Sequence, residues 1–565
     1  MSTLFTKYKD DLSGAVPHSY YPRPTMERDS FISLNGEWEY GESASQDEYH
    51  FTEKILVPFA PESSLSGIER APLEYMHYRR TFLLDDSFVK SRVLLHFGAV
   101  DAECLVVING KAEYTHCGGY TPFELDITGA VSVGENTVEV HARDVLDKKY
   151  PYGKQKRDRG GMWYTPVSGI WQSVWLESVP ENYIKKLRID PISDGVRLTV
   201  TGGDDKKTLE LDGEVIEFIG GTYDIYPKNL KRWSPECPYL YYFTLKSGED
   251  CVKSYFAVRE IGIEDVNGTK RLTLNGKPYV FSGLLDQGYY PDGIFTPATI
   301  DGFIDDVRLA KSLGFNMLRK HIKLEPEIFY YICDKEGIAV FQDMINNGSY
   351  SFIRDTALPT IGLQRLPDRW LNRSKDGRKI FEDTMYEILD VLYNHPSVVY
   401  YTIFNEGWGQ FSADEMYEKL KSVDKTRIID STSGWFRQHK SDVDSRHVYF
   451  KKLKCFKADK QPVVISEFGG YSYRVEGHLF GEKNYGYRIC ESQEKFEEDL
   501  YKLYTDEVLP LTKAGTSAFV YTQLSDVEDE TNGLITYDRR VVKVTPEKCK
   551  SVMDKITEQN RASDC

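Results

Sequence analysis

The chain has 565 residues, more than one hydrophobic core usually serves, so we expect about two to four domains. Its formal net charge of −16 argues against nucleic acids and anionic membrane surfaces as partners. The cysteines are scattered, the opening residues lack the apolar segment of a signal peptide, and no apolar run predicts a membrane span; we therefore expect a cytoplasmic protein.

The first part of the chain is strand-rich. Short apolar or alternating segments separated by turns fill residues 31–179, and Asn109-Gly110 is a hairpin-turn signal. This pattern predicts a sandwich of jelly-roll size. A second strand-rich block follows, with a length typical of a small immunoglobulin-like sandwich. We therefore predict a jelly-roll domain at residues 1–180 and an immunoglobulin-like domain at residues 181–262.

After the segment Asn275-Gly276-Lys277-Pro278, apolar strands alternate with helical stretches. In residues 300–314, Phe303, Val307 and Ala310 share one face of a predicted helix, which Gly314 ends. A doubly wound sheet is the rival arrangement, but it would need a glycine-rich phosphate turn after its first strand, and the sequence has none there. We predict a catalytic (β/α)8 barrel at residues 263–565, with strands at 279–287, 315–321, 339–344, 398–406, 427–434, 447–450, 463–470 and 516–524.

Two glutamates stand where predicted barrel strands end. Glu406 follows the apolar run VVYYTIF and Asn405, and Glu467 follows VVIS. A single carboxylate at a strand end is usually only solvated, but the C-terminal ends of barrel strands are where catalytic groups gather. Cleavage of a glycosidic bond needs two carboxylates, and their separation decides between retention and inversion. Two such carboxylates on different strands of one barrel favour a catalytic role, and the pattern by itself leaves the reaction and its stereochemistry open.

The chain resembles glycoside hydrolase family 2, the family of β-galactosidases, β-glucuronidases and β-mannosidases. The resemblance covers nearly the whole chain, in the order jelly roll, immunoglobulin-like sandwich and barrel. Its motifs are YPRPTMERDSFISLNGEWEY (21–40), HCGGYTPFELDIT (116–128), GENTVEV (134–140), SGIWQSVWLE (168–177), NGKP (275–278), FNMLRKH (315–321), NHPSVVYYTIFNEGWGQF (394–411) and SEFGG (466–470).

This resemblance implies a retaining exo-β-glycosidase. Glu406 is then the general acid/base, which gives up its proton first and later activates water, and Glu467 is the nucleophile. Asn405 is similar to the family's donor to the sugar 2-hydroxyl. A carbohydrate or glycoconjugate is the implied substrate. A non-catalytic carbohydrate-binding protein is the alternative from another class, and loss of one of these glutamates would be its mark.

Other residues of the predicted barrel resemble substrate-binding positions of the family. Arg319 resembles the arginine that supports the nucleophile, and Tyr449, at the predicted end of strand six, resembles the tyrosine that contacts it. His321 is similar to a sugar-binding histidine, although the spacing Arg-Lys-His is one residue short. Ordinary packing in the barrel is the alternative for each. By position at strand ends we add four candidates for sugar contacts: Asp286, Gln287, Trp408 and Trp435.

The type of sugar is predicted from a motif in which this chain differs from its family. Family β-glucuronidases carry an Asn-x-Lys after strand eight that grips the sugar carboxylate, whereas this chain has Glu530-Thr531-Asn532-Gly533. Glu530 would repel a uronate, so we expect a neutral sugar, with β-galactoside as the default. A β-glucuronidase or β-galacturonidase stays open if Lys320, Lys323 or Arg539 replaces the missing lysine. A glucoside, mannoside or xyloside also remains possible.

No cofactor is expected, and no catalytic metal. The acidic Glu-x-His stretch that binds metal in large β-galactosidases is missing after strand three, where FQDMINNG (341–348) stands instead. The aspartate that approaches the sugar from the jelly roll in several family members has no clean match either, and Gly160-Gly161 occupies that neighbourhood. A homo-oligomer is possible, and the sequence does not decide it.

Overall fold

The computed structural model places two β-sandwiches ahead of a parallel barrel. No helix among the residues that the structure describes is both long and apolar enough to cross a membrane. The multidomain fold expected from the sequence, with a (β/α)8 barrel after the sandwiches, is confirmed. The structure describes residues 4–12, 14–46, 48–364, 366–558 and 560.

The first sandwich packs a four-stranded sheet on a six-stranded one, both antiparallel. Its strands alternate in burial, as in Glu103–Ile108, because successive side chains point to opposite faces of a sheet. Trp38, Tyr78 and Leu95 lie in the shared core. The strands are Phe31–Ser33, Val174–Val179, Arg92–Phe97 and Phe123–Asp126, and Glu53–Val57, Gly36–Ser43, Tyr75–Leu84, Gly134–Arg143, Glu103–Ile108 and Ala112–Cys117.

The second sandwich pairs a three-stranded with a four-stranded antiparallel sheet around Leu198, Leu209 and Leu245. Its strands are Ile184–Ile192, Gly195–Gly202 and Thr222–Ile225, and Glu214–Ile219, Lys206–Leu211, Tyr241–Ser247 and Asp250–Phe256. A short meander leads from it to the barrel, with strands Ile261–Val266, Thr269–Leu274 and Lys277–Pro278. Leu272 and Leu274 of this meander pack among the barrel side chains Met317, Phe341 and Val464.

The barrel has eight parallel strands in the hydrogen-bonded order β5-β4-β3-β2-β1-β8-β7-β6. Ser433 Oγ lies 2.9 Å from Nε2 of His447, so side chains of β5 and β6 meet across the remaining gap. The strands are β1 (Phe281–Asp286), β2 (Met317–Lys320), β3 (Ala339–Asp343), β4 (Val398–Asn405), β5 (Ile428–Ser433), β6 (Asp444–Val448), β7 (Val463–Gly469) and β8 (Ala518–Thr522).

Strand six was predicted wrongly. We expected it at residues 447–450 with Tyr449 at its end, but β6 is Asp444–Val448 and Tyr449 follows it. Phe450 adopts a positive φ of 59° and is 74% exposed, so the chain has already left the sheet there. The aromatic residues Tyr449 and Phe450 belong to a loop, while β6 begins with the polar residues Asp444, Ser445 and Arg446 and ends at Val448.

Helices surround the barrel and bury one face each. The predicted helix at residues 300–314 is present as α1, with Phe303, Val307 and Ala310 buried and Gly314 at a φ of 91° beyond its end. The principal helices are α1 (Asp301–Ser312), α2 (Glu327–Glu336), α3 (Lys375–Leu392), α4 (Ala413–Val423), α5 (Gln493–Lys502) and α6 (Pro546–Ile556); shorter ones include Ile353–Ala357, Leu358–Thr360, Leu503–Val508 and Leu509–Lys513.

A loop of the first sandwich reaches the C-terminal end of the barrel. We call residues 152–165 the mouth segment. The backbone N–H groups of Tyr152 and Gly153 donate to the carbonyl of Asn346, which follows β3. At its other end, the N–H of Thr165 donates to the carboxylate of Glu528, beyond β8. The mouth segment therefore spans from the β3 side of the barrel opening to the β8 side.

Candidate active site

The two predicted carboxylates meet at the C-terminal end of the barrel. Glu406 directly follows the last residue of β4, and Glu467 lies within β7. An oxygen of each carboxylate and a ring nitrogen of His447 all lie within 4.8 Å of one another. The structure thus brings together two glutamates that lie far apart in the sequence.

The turn after β4 holds Glu406 in an unusual conformation. Glu406 has a φ of 55°, a region that costs a side-chain-bearing residue roughly 1 kcal/mol and that often marks a functional site. Gly407 follows at a φ of 72°, where an added Cβ would lie 1.9 Å from the ring of Phe436. The backbone N–H of Glu406 donates to the carbonyl of Ser433 in β5. The sharp turn directs the Glu406 side chain toward β6 and β7.

Glu467 is held ionised by cationic and hydrogen-bonding neighbours. It is 5% exposed, and Nη1 of Arg319 lies 3.2 Å from its Oε1. The hydroxyl of Tyr449 donates to its Oε2 at 2.7 Å. Burial alone would raise the pKa of Glu467, but the positive charges of His447 and Arg319 outweigh it and lower the pKa to about 2. A carboxylate in this state is available to attack an electrophilic carbon.

Glu406 is the more open of the two acids. Its side chain is 22% exposed, and Nδ1 of His447 lies 2.9 Å from its Oε1. The same nitrogen lies 3.5 Å from Oε2 of Glu467, so His447 stands between both carboxylates. An acid that exchanges protons with water needs this access, whereas a nucleophile does not.

Arg319 lies at the centre of a buried network. Its guanidinium lies 2.9 Å from a carboxylate oxygen of Asp343 and donates to Oδ1 of Asn405, also at 2.9 Å. Nδ1 of His321 lies 2.6 Å from the same Asp343 carboxylate. Burial, reinforced by the positive charge of Lys154, lowers the pKa of His321 to about 4, so the ring is neutral at pH 7. These contacts fix the side chains of Arg319, Asn405 and His321 before a ligand arrives.

The two predicted tryptophans lie near the opening. The Trp408 ring is in edge contact with Trp163 of the mouth segment at 5.0 Å between ring centres. The Trp435 ring packs edge-on against His447 at 5.6 Å and is 9% exposed. Trp408 thus meets the sandwich domain at the opening, and Trp435 supports His447 from behind.

The predicted pair at the end of β1 is buried. Oδ2 of Asp286 lies 2.7 Å from Nζ of Lys320, and its Oδ1 accepts from the N–H of Gly288. Nε2 of Gln287 is buried and has no hydrogen-bond partner among the described residues. Asp286 therefore already has its partners within the protein, while the Gln287 amide remains able to donate.

The three basic residues considered as substitutes for a uronate-binding lysine all form ion pairs with carboxylates of the protein. Lys320 pairs with Asp286 and Glu325. Lys323 pairs with Glu325 and also donates to the carbonyls of Gly288 and Phe295. Arg539 pairs with Asp306 at 3.1 Å.

Four residues near the pair were not singled out as site residues in the sequence. Asp343 ends β3 as Asn405 ends β4, so the same strand-end signal could have found it. His447 was hidden because the predicted strand six began at it. Glu530 was noted only as a group repelling uronates. Lys154, whose positive charge lowers the pKa of Glu467, comes from another domain, and its local sequence carries no signal.

Among the described residues, one three-residue cluster has the donors and spacing to hold a metal ion: Glu406, His447 and Glu467. Two carboxylates and an imidazole are a common ligand set. The same three groups also satisfy one another, and Glu467 has Arg319 and Tyr449 besides. The expectation that no metal takes part stays a prediction.

Matches to family descriptions cover most of the chain. Residues 69–180 match the Glycosyl hydrolases family 2, sugar binding domain, and residues 265–542 match the Glycosyl hydrolases family 2, TIM barrel domain. These two stretches correspond to most of the first sandwich and to the barrel with its site.

Curated relatives are distant and longer. A beta-galactosidase of Priestia megaterium is 23% identical over 523 residues, which cover 84% of this chain and 48% of that protein. A beta-galactosidase of Thermoanaerobacter pseudethanolicus is 26% identical over 294 residues, covering 47% of this chain and 39% of that protein. The chain thus spans about half the length, or less, of these relatives.

Solved structures agree in fold over nearly their whole length. An uncultured Clostridium beta-glucuronidase has a TM-score of 0.74 at 18% identity, covering 95% of this chain and 99% of that one. A beta-galacturonidase from Eisenbergiella tayi, bound to galacturonate, has a TM-score of 0.69 at 19% identity, covering 95% and 99%. Likeness at this identity shows the fold alone. With both family-specific domains matched, and in the expected order, the chain belongs to glycosyl hydrolases family 2.

Proposed function

We propose that this protein is a retaining exo-β-glycosidase that hydrolyses a terminal β-linked sugar by double displacement. The spacing of the two carboxylates carries the proposal. Retaining enzymes hold their pair roughly 5–5.5 Å apart, whereas inverting enzymes need about 6.5–9.5 Å to admit a water. Oxygens of Glu406 and Glu467 lie within 4.8 Å, which favours direct attack on the sugar.

In the first step Glu467 attacks the anomeric carbon, while Glu406 protonates the departing oxygen. The bond between the anomeric carbon and that oxygen breaks, and an ester bond to Glu467 forms. In the second step Glu406, now ionised, takes a proton from water, which displaces Glu467. Arg319 and Tyr449 stabilise the Glu467 carboxylate before attack and after release. Asn405, fixed by Arg319, is placed to donate to the sugar 2-hydroxyl.

We propose a neutral sugar, with a β-galactoside as the first choice. Glu530 is buried beyond β8 on the side of the opening that faces Glu467, and a buried unpaired sugar carboxylate beside it would be costly. The engagement of Lys320, Lys323 and Arg539 in internal ion pairs supports the same choice. The curated relatives, which are named beta-galactosidases, agree with it.

A uronide is the second candidate, since one observation favours it. The ammonium of Lys154 is close enough to Glu467, His321 and Glu530 to shift the pKa of each. A cation in that position could accept a sugar carboxylate, as the names of the similar glucuronidase and galacturonidase structures would suggest. Comparing kcat/KM across nitrophenyl β-galactoside, glucoside, mannoside, xyloside, glucuronide and galacturonide separates the candidates. A higher value for a uronide than for every neutral sugar would refute the neutral choice.

The cellular setting and assembly are also proposed. Seven cysteines of the described chain are free thiols, which supports a cytoplasmic location.

Several apolar side chains after β3 are more than half exposed, which would suit a homo-oligomer: Phe352, Ile353, Ile361 and Leu363. Sedimentation velocity would decide the oligomeric state. Nucleic acids and membranes are not proposed as partners, in line with the acidic net charge.

A further inference from the structure

The mouth segment is docked tightly at the level of the catalytic residues. Asn346, which accepts from Tyr152 and Gly153, donates its side-chain amide to the carbonyl of Trp408, two residues after Glu406. A Cβ on Gly153 would lie 2.8 Å from the carbonyl of Ile322, next to His321. The backbone of Lys154 is thereby held between the ends of β2 and β3, at the edge of the sugar pocket.

The backbone of Lys154 is fixed by these contacts, but its side chain is not. Its ammonium lies 5.9 Å from the centre of the Tyr164 ring and is partly exposed. Among the residues that the structure describes, none forms an ion pair or hydrogen bond with it. Its positive charge lowers the pKa of both Glu467 and His321. A partly exposed ammonium on a segment that docks beside Ile322 and His321, with donors left free, is available to a ligand at the opening.

Glu530 lies in the loop after β8, near Tyr164 at the other end of the mouth segment. Its carboxylate accepts a 2.7 Å hydrogen bond from Nε2 of Gln523, directly after β8, and is 4% exposed. Burial raises the pKa of Glu530, while the charge of Lys154 and the nearby hydroxyl of Tyr164 oppose that rise. The Glu530 side therefore offers a carboxylate with acceptor positions for a ligand hydroxyl.

We infer that Lys154 and Glu530 together bind hydroxyl groups of the sugar, and that this charge-balanced pair selects neutral sugars over uronates. The inference rests on the proposed function and assigns a specificity role to a lysine outside the barrel. Lys154 donates to a hydroxyl oxygen, and Glu530 accepts from a hydroxyl. A uronate would satisfy Lys154 but meet the like charge of Glu530, whereas a hydroxyl can serve both.

Lys154→Met tests the lysine, because it keeps the side-chain length and removes the charge. Lys156→Met is the matched control, since Lys156 is exposed on the same segment. We expect Lys154→Met to lower kcat/KM for the neutral substrate about ten- to hundredfold, as for loss of one charged hydrogen bond. Lys156→Met should stay within about twofold. Lys154→Arg keeps the charge and should retain more activity than Lys154→Met.

Glu530→Gln tests the acceptor. It removes the like charge while leaving an amide of the same shape, so we expect kcat/KM for nitrophenyl β-glucuronide to rise at least tenfold relative to that for the galactoside. A series of mono-deoxygalactosides, each lacking one hydroxyl, identifies the hydroxyl that Lys154 binds. On the analogue that lacks this hydroxyl, the kcat/KM values of wild type and Lys154→Met should differ by less than about threefold. Circular dichroism and thermal unfolding confirm that each variant is folded.

The outcomes separate the two proposals. If wild type prefers a neutral sugar but Lys154→Met behaves as Lys156→Met does, the proposed function stands and the specificity inference is overturned. An unchanged preference in Glu530→Gln also overturns it. If wild type cleaves a uronide faster than every neutral sugar, the neutral-sugar proposal itself fails, and the inference fails with it.

Discussion

Nδ1 of His447 lies 2.9 Å from Oε1 of Glu406, and the same nitrogen is 3.5 Å from Oε2 of Glu467. A single imidazole thus connects the proposed acid/base with the proposed nucleophile. Burial raises the pKa of Glu467, and among the charges that lower it His447 has the largest effect.

His447→Ala should therefore shift the acid side of the pH profile. The pKa of Glu467, about 2 in the wild type, rises when His447 is removed, so the ionised form is lost at a higher pH. We expect the acid limb of kcat/KM to move upward by about one unit or more. His439→Ala is the control, because His439 is a 90% exposed histidine paired with Asp414. Superimposable acid limbs for the two variants would contradict this role.

Glu467→Gln should abolish turnover of every substrate, with kcat reduced roughly 10⁴-fold or more, as for loss of a nucleophile. An amide of the same shape keeps the packing but cannot form the ester. Steady-state rates with activated and unactivated glycosides check this. Residual activity within a factor of about a hundred of the wild type on any of them would exclude Glu467 as the nucleophile.

Glu406→Gln should affect substrates according to their leaving group. A nitrophenolate leaves without protonation, whereas an alkyl alcohol needs the proton that Glu406 supplies, so alkyl glycosides should lose far more activity. Azide should restore activity to Glu406→Ala on activated substrates by attacking the glycosyl-enzyme. Equal losses on both substrate types, together with no azide product, would assign the acid elsewhere.

The first-formed sugar should keep the β configuration. Two displacements at one carbon restore its stereochemistry, and the short gap between the Glu406 and Glu467 oxygens favours this route. Proton NMR of the reaction in its first minutes distinguishes the anomers before mutarotation. An α anomer as the initial product would show that a water, not Glu467, attacks the sugar.

Activity should survive prolonged chelation. Glu406, His447 and Glu467 could together hold an ion, but a cation bound there would occupy the nucleophile and the acid at once. Dialysis against EDTA followed by assay should leave kcat/KM within about twofold. A loss that magnesium, manganese or zinc restores would reverse this expectation and point to these three ligands.

Particular residues show what the sequence could and could not predict. The strands ending at Asn405 and holding Glu467 are long apolar runs, so the sequence alone was enough to predict both carboxylates at one end of a barrel. His447 was not predicted, because β6 begins with three polar residues, while the aromatic residues after it, Tyr449 and Phe450, lie in a loop. Lys154 was missed for another reason: its position at the barrel opening follows from how two domains dock, and no local sequence pattern indicates it.

The mouth segment belongs to the first sandwich in sequence, but its Tyr152 and Tyr164 pack in the hydrophobic core of the barrel rather than in that of the sandwich. In the proposed function the cleavage chemistry belongs to the barrel, and the proposed sugar contact of Lys154 belongs to the sandwich. Substitutions in this loop would then alter substrate choice without replacing any residue of the buried network around Arg319. For an engineer, the same division means that exchanging residues 152–165 between relatives is a route to new specificities that leaves Glu406 and Glu467 in place.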